Sequence, residues 1–141
     1  MCYRLLSLLC VETIAGDDSA DGNVIVNAWF GPEGTVSPCH HDPYDNLLSQ
    51  VVGSKYIRIY HPSESSNLYP HSSGKMTNTS QVDVEHPDLL RFPNTSKATY
   101  LECVLSAGEM LYIPPKFWHY IRSLECSFSC SFWWKGREAV T

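Results

Sequence analysis

The sequence contains no uninterrupted apolar run long enough to cross a bilayer as a helix, so no membrane partner is expected. Residues 1–11 are mildly apolar, but the run is broken by Ser7 and no small-x-small cleavage site follows, which argues against a secretory leader. Positive charge is scarce: ten Lys and Arg face fifteen Asp and Glu, a net charge of −5. That balance argues against general affinity for a nucleic acid backbone and leaves room for a basic peptide as substrate. The six cysteines (Cys2, Cys10, Cys39, Cys103, Cys126, Cys130) form no Cys-x-x-Cys, so zinc-type spacing is missing. Most lie inside apolar runs, where they read as reduced, small hydrophobes and favour the nucleus or cytoplasm. Helical periodicity is almost absent.

What is present is strand pattern. At 141 residues, 43% hydrophobic and 12% aromatic, the chain suits one folded domain with a real core. Residues 1–22 read as an irregular segment ending in the polar loop 17–22, and 23–141 as one all-β domain. Strands are expected over 23–30, 35–42, 47–52 and 55–61, with Gly53-Ser54 as a tight hairpin between the last two. Others are expected over 99–105, over 110–113 continuing through Pro114-Pro115 into 117–122, and over 126–134. The long segment 62–98 shows only a turn of helix near 87–91 and reads as a wrap around a sheet edge. In 126–134, Ser127, Ser129, Ser131 and Trp133 share one side, and Cys126, Phe128, Cys130, Phe132 and Trp134 the other. The apolar side is expected to be buried in packing and the serine side to line a wet cavity. Short strands punctuated by turns define an antiparallel sandwich or barrel, and a jelly-roll fits best because residues far apart in sequence must meet.

Those residues are in Ser37-Pro-Cys-His-His-Asp42 and Tyr112-Ile-Pro-Pro-Lys-Phe-Trp-His119. His40 and Asp42, two apart on a strand, point to one face, and His119 supplies a third ligand. Two histidines and a carboxylate with the opposite positions open form the facial triad of non-haem Fe(II) oxygenases. Such a site takes a 2-oxo acid through its ketone and adjacent carboxylate, and its far carboxylate then needs a cation. Lys55, ahead of the inward-facing Ile57 and Ile59, is placed for that, although a lysine so flanked is more often a snorkelling surface residue. Ser37 and Asn46 could add hydrogen bonds, and Trp29 and Trp133 either wall the pocket or belong to ordinary core. His61, His71 and His86 read as surface or hydrogen-bonded residues.

The chain resembles the JmjC family of 2-oxoglutarate-dependent oxygenases. The likeness rests on Asn27-Ala-Trp-Phe-Gly-Pro32, Ser37-Pro-Cys-His-His-Asp-Pro43, Gly53-Ser-Lys-Tyr-Ile-Arg58, Asn78-Thr-Ser-Gln-Val-Asp-Val84, Ile113-Pro-Pro-Lys-Phe-Trp-His-Tyr120 and Ser127-Phe-Ser-Cys-Ser-Phe-Trp-Trp134. It implies a double-stranded β-helix with iron on His40, Asp42 and His119. It also implies 2-oxoglutarate contacts from Ser37, Asn46, Lys55 and Trp133, and a place for Trp29 near the substrate pocket. The implied cofactors are Fe(II), 2-oxoglutarate and O₂, and the implied partner is a protein or histone peptide. The implied reaction couples oxidative decarboxylation of 2-oxoglutarate to hydroxylation, of an arginine side chain or of a methyl-lysine on its way to demethylation. Against that family the chain begins late, without the region that carries a cosubstrate-holding tyrosine. This implies a shortened form, for which a non-catalytic binding module is the alternative to an enzyme.

Overall fold

The computed structural model describes residues 9–15 and 24–135. Among these, nine strands follow one another: β1 (Leu9–Ala15), β2 (Ile25–Gly31), β3 (Val36–His40), β4 (Asp45–Val52), β5 (Ser54–Tyr60), β6 (Leu101–Ser106), β7 (Met110–Ile113), β8 (Trp118–Ser123) and β9 (Ser127–Trp134). They form two sheets, β1-β2-β9-β4-β7 and β3-β8-β5-β6, in which every named pairing is antiparallel. The result is the expected all-β jelly-roll, the double-stranded β-helix. From β2 to β5 and again from β6 to β9 consecutive strands alternate between the sheets, and the four-stranded sheet brings His40 of β3 opposite His119 of β8.

Several details differ from the sequence reading. Leu9–Ala15, inside the segment read as irregular, is a strand that extends the first sheet by pairing with β2. Its stability comes from the free edge of β2, which no local pattern reveals. The chain around Gly53 is not a hairpin: β4 pairs with β7 and β9, while β5 pairs with β6 and β8. Gly53, at φ +72°, turns the chain from one sheet into the other. Likewise β8 does not continue β7. Pro114-Pro115-Lys116 redirects the chain, with Lys116 at φ +67°, and β8 joins the opposite sheet.

The segment 62–98 wraps the outer side of the four-stranded sheet. It contains two 3₁₀ helices, Pro62–Asn67 and Pro93–Lys97. Near 87–91 there is a turn rather than a helix, in which the Asp88 carboxylate accepts the N–H groups of Leu90 and Arg91. Leu68, Val82, Val84 and Phe92 from this segment bury against Cys39, Tyr60, Trp118 and Tyr120. Each such side chain contributes about 1.5–3 kcal/mol of hydrophobic stabilisation. Glu85 fastens the wrap, accepting from Arg122 Nε at 2.7 Å, Arg122 Nη2 at 2.9 Å and the Tyr120 hydroxyl at 2.7 Å.

Between the sheets a small core of Leu48, Ile57 and Leu105 gives way to a polar interior. Asn27, Asn46, Gln50, Lys55, Ser123, Ser127, Ser129 and Ser131 are all buried. On β9 the three serines are 0–1% exposed, whereas Phe128, Cys130, Phe132 and Trp134 are only partly buried. The serine side faces in, as expected, and Ser131 and Trp133 of that side line the cavity. The apolar side is the partly exposed outer face, because small residues inside are what leave the barrel open.

Candidate metal centre and cosubstrate pocket

The register of β3 against β8 shifts between Ser37 and His40, so Ser37 and His40 reach the same pocket across an irregularity in the strand. Asp42 lies just past the strand end, and convergence with His40 depends on ties to other segments. The Lys116 N–H donates to the Asp42 carbonyl at 2.8 Å, the His41 N–H donates to the Asn78 carbonyl at 2.9 Å, and Asn78 Nδ2 donates to the His41 carbonyl at 2.9 Å. His41 turns away and meets the Trp118 ring edge-on, as its place between the two ligand candidates requires.

The outcome is a three-residue group whose ligating atoms lie within 4.8 Å of one another. His40 Nε2 and His119 Nε2 are each 3.6 Å from Asp42 Oδ2. Their Nδ1 atoms face main-chain carbonyls, those of Pro38 at 2.7 Å and Phe117 at 3.1 Å. A carbonyl only accepts, so each Nδ1 carries the proton and each Nε2 presents a lone pair toward Asp42. Burial pushes the His119 imidazole down to about 3, with the neighbouring His40 as a smaller cause, and keeps it neutral. Burial also raises the Asp42 carboxyl above its ordinary value. Asp42 Oδ2 is buried with no hydrogen-bond partner. Two imidazole nitrogens and a carboxylate oxygen thus converge with no hydrogen bond among them. This donor set fits a divalent cation, which would offset the cost of the buried acceptors.

All eight residues singled out from the sequence (Trp29, Ser37, His40, Asp42, Asn46, Lys55, His119 and Trp133) line one cavity of about 630 Å³, its open mouth included. Lys55 is 7% exposed and has no carboxylate within ion-pair distance among the described residues. Burial pushes its ammonium down to about 8. Its Nζ donates to Ser129 Oγ at 2.6 Å. Asn46 and Trp133 are directly opposite across β4 and β9, and Asn46 Oδ1 and Trp133 Nε1 are buried without partners. Trp29 Nε1 donates to Ser131 Oγ at 2.8 Å. A cation end, an amide, an indole N–H and a ligand triad in one cavity can take a dicarboxylate that also chelates a metal.

Sequence reasoning missed several contributors. Tyr44 stacks on Trp133 at 5.5 Å between ring centroids; its only signal was its position between Asp42 and Asn46. Asn78, through its carbonyl and side-chain amide, and Lys116, through its backbone N–H, act by ties that no spacing announces. The remaining histidines stay outside the site: His61 caps a 3₁₀ helix, and His86 lies beside Asp83. Cys39, Cys103, Cys126 and Cys130 are free, but only Cys39 is fully buried, while Cys103 and Cys126 are exposed. Of these four, full burial matches the small-hydrophobe reading at Cys39 alone, and Cys2 and the side chain of Cys10 lie outside the described residues.

A jelly-roll with this triad between its sheets is a cupin-like architecture, and residues 12–139 match the cupin-like domain family. The chain belongs to that family, and the JmjC resemblance of its motifs holds. It is 59% identical over 114 residues to lysine-specific demethylase 8 of Danio rerio, a match covering 81% of this chain and 28% of the relative. It is 47% identical over 123 residues to Jumonji C domain-containing protein 5 of Drosophila melanogaster, covering 87% of this chain and 30% of the relative. The chain therefore spans less than a third of the length of these relatives. Among solved structures it resembles the ribosomal oxygenase YcfD of Escherichia coli in complex with cobalt and 2-oxoglutarate. That likeness has a TM-score of 0.52 and 21% identity, and covers 82% of this chain and 24% of that one, which supports the fold.

Proposed function

We propose that this chain is the catalytic barrel of an Fe(II)- and 2-oxoglutarate-dependent oxygenase that hydroxylates a protein side chain, an arginine in the first reading. The observation that carries the proposal is the meeting of two imidazole nitrogens and an unpartnered aspartate oxygen, His40 and His119 Nε2 at 3.6 Å from Asp42 Oδ2. In this reading His40, Asp42 and His119 hold the metal from one side. Fe(II) held there would supply, with 2-oxoglutarate and O₂, the chemistry that couples formation of succinate and CO₂ to hydroxylation of a C–H bond.

The chain's own groups then bind, orient and exclude water. Lys55 takes the far carboxylate of 2-oxoglutarate, and burial strengthens the pairing. Ser37 from one sheet and Asn46 and Trp133 from the other offer hydrogen-bonding groups to the same cavity. Trp29 and Trp133 shield the cavity and shape the entrance for a side chain. The Nδ1-to-carbonyl bonds keep both histidines in the ligating tautomer. The net charge of −5 favours the approach of a basic peptide.

A second reading, removal of methyl groups from lysine on a histone or other protein, is favoured by the name of the Danio rerio relative. The two readings share the hydroxylation and differ in whether the hydroxylated carbon stays or leaves. Mass spectrometry of candidate peptides incubated with the chain, Fe(II), ascorbate and 2-oxoglutarate tests both. One added oxygen on arginine supports the first, and loss of methyl from lysine the second. Asp42→Ala should abolish succinate formation; full turnover by that variant would overturn the oxygenase reading.

A further inference from the structure

We propose that Ser129 is a positioning residue for the cosubstrate: its hydroxyl holds the Lys55 ammonium in place without neutralising it, leaving the charge and two N–H donors for the far carboxylate of 2-oxoglutarate. The inference rests on the oxygenase reading above and deepens it. It begins from the serine alternation of β9. Ser127, Ser129 and Ser131 are 0%, 0% and 1% exposed, an unusual use of three buried positions on one strand. Each has a specific partner: Ser127 Oγ is 2.9 Å from Ser123 Oγ, Ser131 accepts the Trp29 indole N–H at 2.8 Å, and Ser129 accepts Lys55 Nζ at 2.6 Å.

Among the described residues, Ser129 Oγ is the one acceptor with which Lys55 Nζ forms a hydrogen bond. Its strand neighbour Ser123, opposite in register, is engaged with Ser127. Gln50, opposite Ser129 on β4, directs its Nε2 to the Val52 carbonyl at 2.8 Å. An ammonium carries three donors and a serine oxygen satisfies one. A carboxylate at the Ser129 position would hold the lysine equally well but would compete with an incoming carboxylate for its charge. Alanine would remove the hydrogen bond that fixes the ammonium. Serine orients Lys55 and keeps its charge available.

The test uses the full chain loaded with Mn(II), titrated with 2-oxoglutarate by calorimetry, with the Mn(II) affinity measured alongside. Ser129→Ala should weaken 2-oxoglutarate roughly ten-fold or more, the effect of losing a hydrogen bond to a charged group. Ser129→Asp should weaken it further although an acceptor remains. Mn(II) affinity should stay within about two-fold in both, because the metal ligands lie on other strands. Cys130→Ser, on the outer side of the same strand, should leave both affinities unchanged. The second readout is the rate at which a small acylating reagent labels Lys55, followed by mass spectrometry without cosubstrate. Ser129→Ala should speed labelling, since loss of the acceptor favours the free amine, and Ser129→Asp should slow it. Wild-type protein that takes up Mn(II) but no 2-oxoglutarate overturns the oxygenase reading and this inference with it. Wild-type binding matched by Ser129→Ala, with Lys55 labelling unchanged, overturns the Ser129 assignment alone.

Discussion

Lys116 donates its backbone N–H to the Asp42 carbonyl at 2.8 Å, and does so from the left-handed region at φ +67°. The bond joins the segment that follows β3 to the turn before β8, so one hydrogen bond ties the loop of Asp42 to the strand of His119. The Lys116 side chain is exposed, so the strain is a backbone property. Lys116→Gly should keep the bond, relieve the strain and raise the stability of the metal-free chain by up to about 1 kcal/mol. Lys116→Pro should remove the donor and force φ to the other side of the map, costing about 3 kcal/mol. Thermal unfolding with and without Mn(II) checks both, and the proline variant should also lose metal affinity.

Asp42 should show an opposition between stability and binding. Its Oδ2 is buried, lacks a donor and faces two nitrogen lone pairs. Asp42→Asn would place an NH₂ group where a proton is missing and remove a buried charge. The metal-free variant should be more stable than wild type, by about 1 kcal/mol. Its Mn(II) affinity should fall by at least roughly ten-fold, because the anionic ligand is gone. Melting curves that move the same way with and without metal would contradict this account.

The chemistry of the site was legible in the sequence because it depends on residue type. Imidazoles at 40 and 119, a carboxylate at 42 and a lysine amid apolar strand residues each carry a rare function, and all line one cavity. Much of the architecture was not legible. A period of two says which residues share a face, but not which sheet a strand joins, so the changes of sheet at Gly53 and Lys116 passed for a hairpin and a continuation. Alternation also leaves burial undecided: on β9 it set the serines on the inner side, but the apolar side, expected to be buried in packing, is only partly buried. Edge strand β1 owes its existence to β2, and Tyr44 owes its role to Trp133; both are tertiary facts without a local signature.

Glu85 gives the long wrap a measurable dependence on acid. The bonds from Arg122, with a smaller contribution from Tyr120, hold its carboxyl below the ordinary value of 4.5. A carboxyl whose folded value is depressed adds stability above its unfolded value, and loses that contribution as pH falls through the folded one. Glu85→Gln should therefore destabilise the chain by about 1–3 kcal/mol at neutral pH, from the loss of a charge-assisted pair on a largely buried side chain. The gap between wild type and variant should narrow as pH drops below 4.5. Urea midpoints measured from neutral to acid pH would show the two curves converging; parallel curves would refute the role.

Gly53 should be the least replaceable glycine among those described, for a reason that also reaches the site. At φ +72° any side chain is strained, and an added Cβ would lie 2.4 Å from the Cys126 carbonyl oxygen. That oxygen belongs to the backbone leading into β9 and has little room to yield. Gly53→Ala should cost about 3 kcal/mol, combining left-handed strain with a backbone clash. Gly108→Ala provides the comparison: φ is +89°, but no atom lies within 4 Å of the new Cβ. It should cost only about 1–2 kcal/mol, the strain alone. Because Lys55 lies two residues after Gly53, and Ser129 three after Cys126, the clash would push apart the strands that carry the cation and its acceptor. Gly53→Ala should thus lose 2-oxoglutarate affinity even under conditions where it remains folded, whereas Gly108→Ala should keep it. Equal losses of stability in the two variants would show that the approach to Cys126 is unimportant.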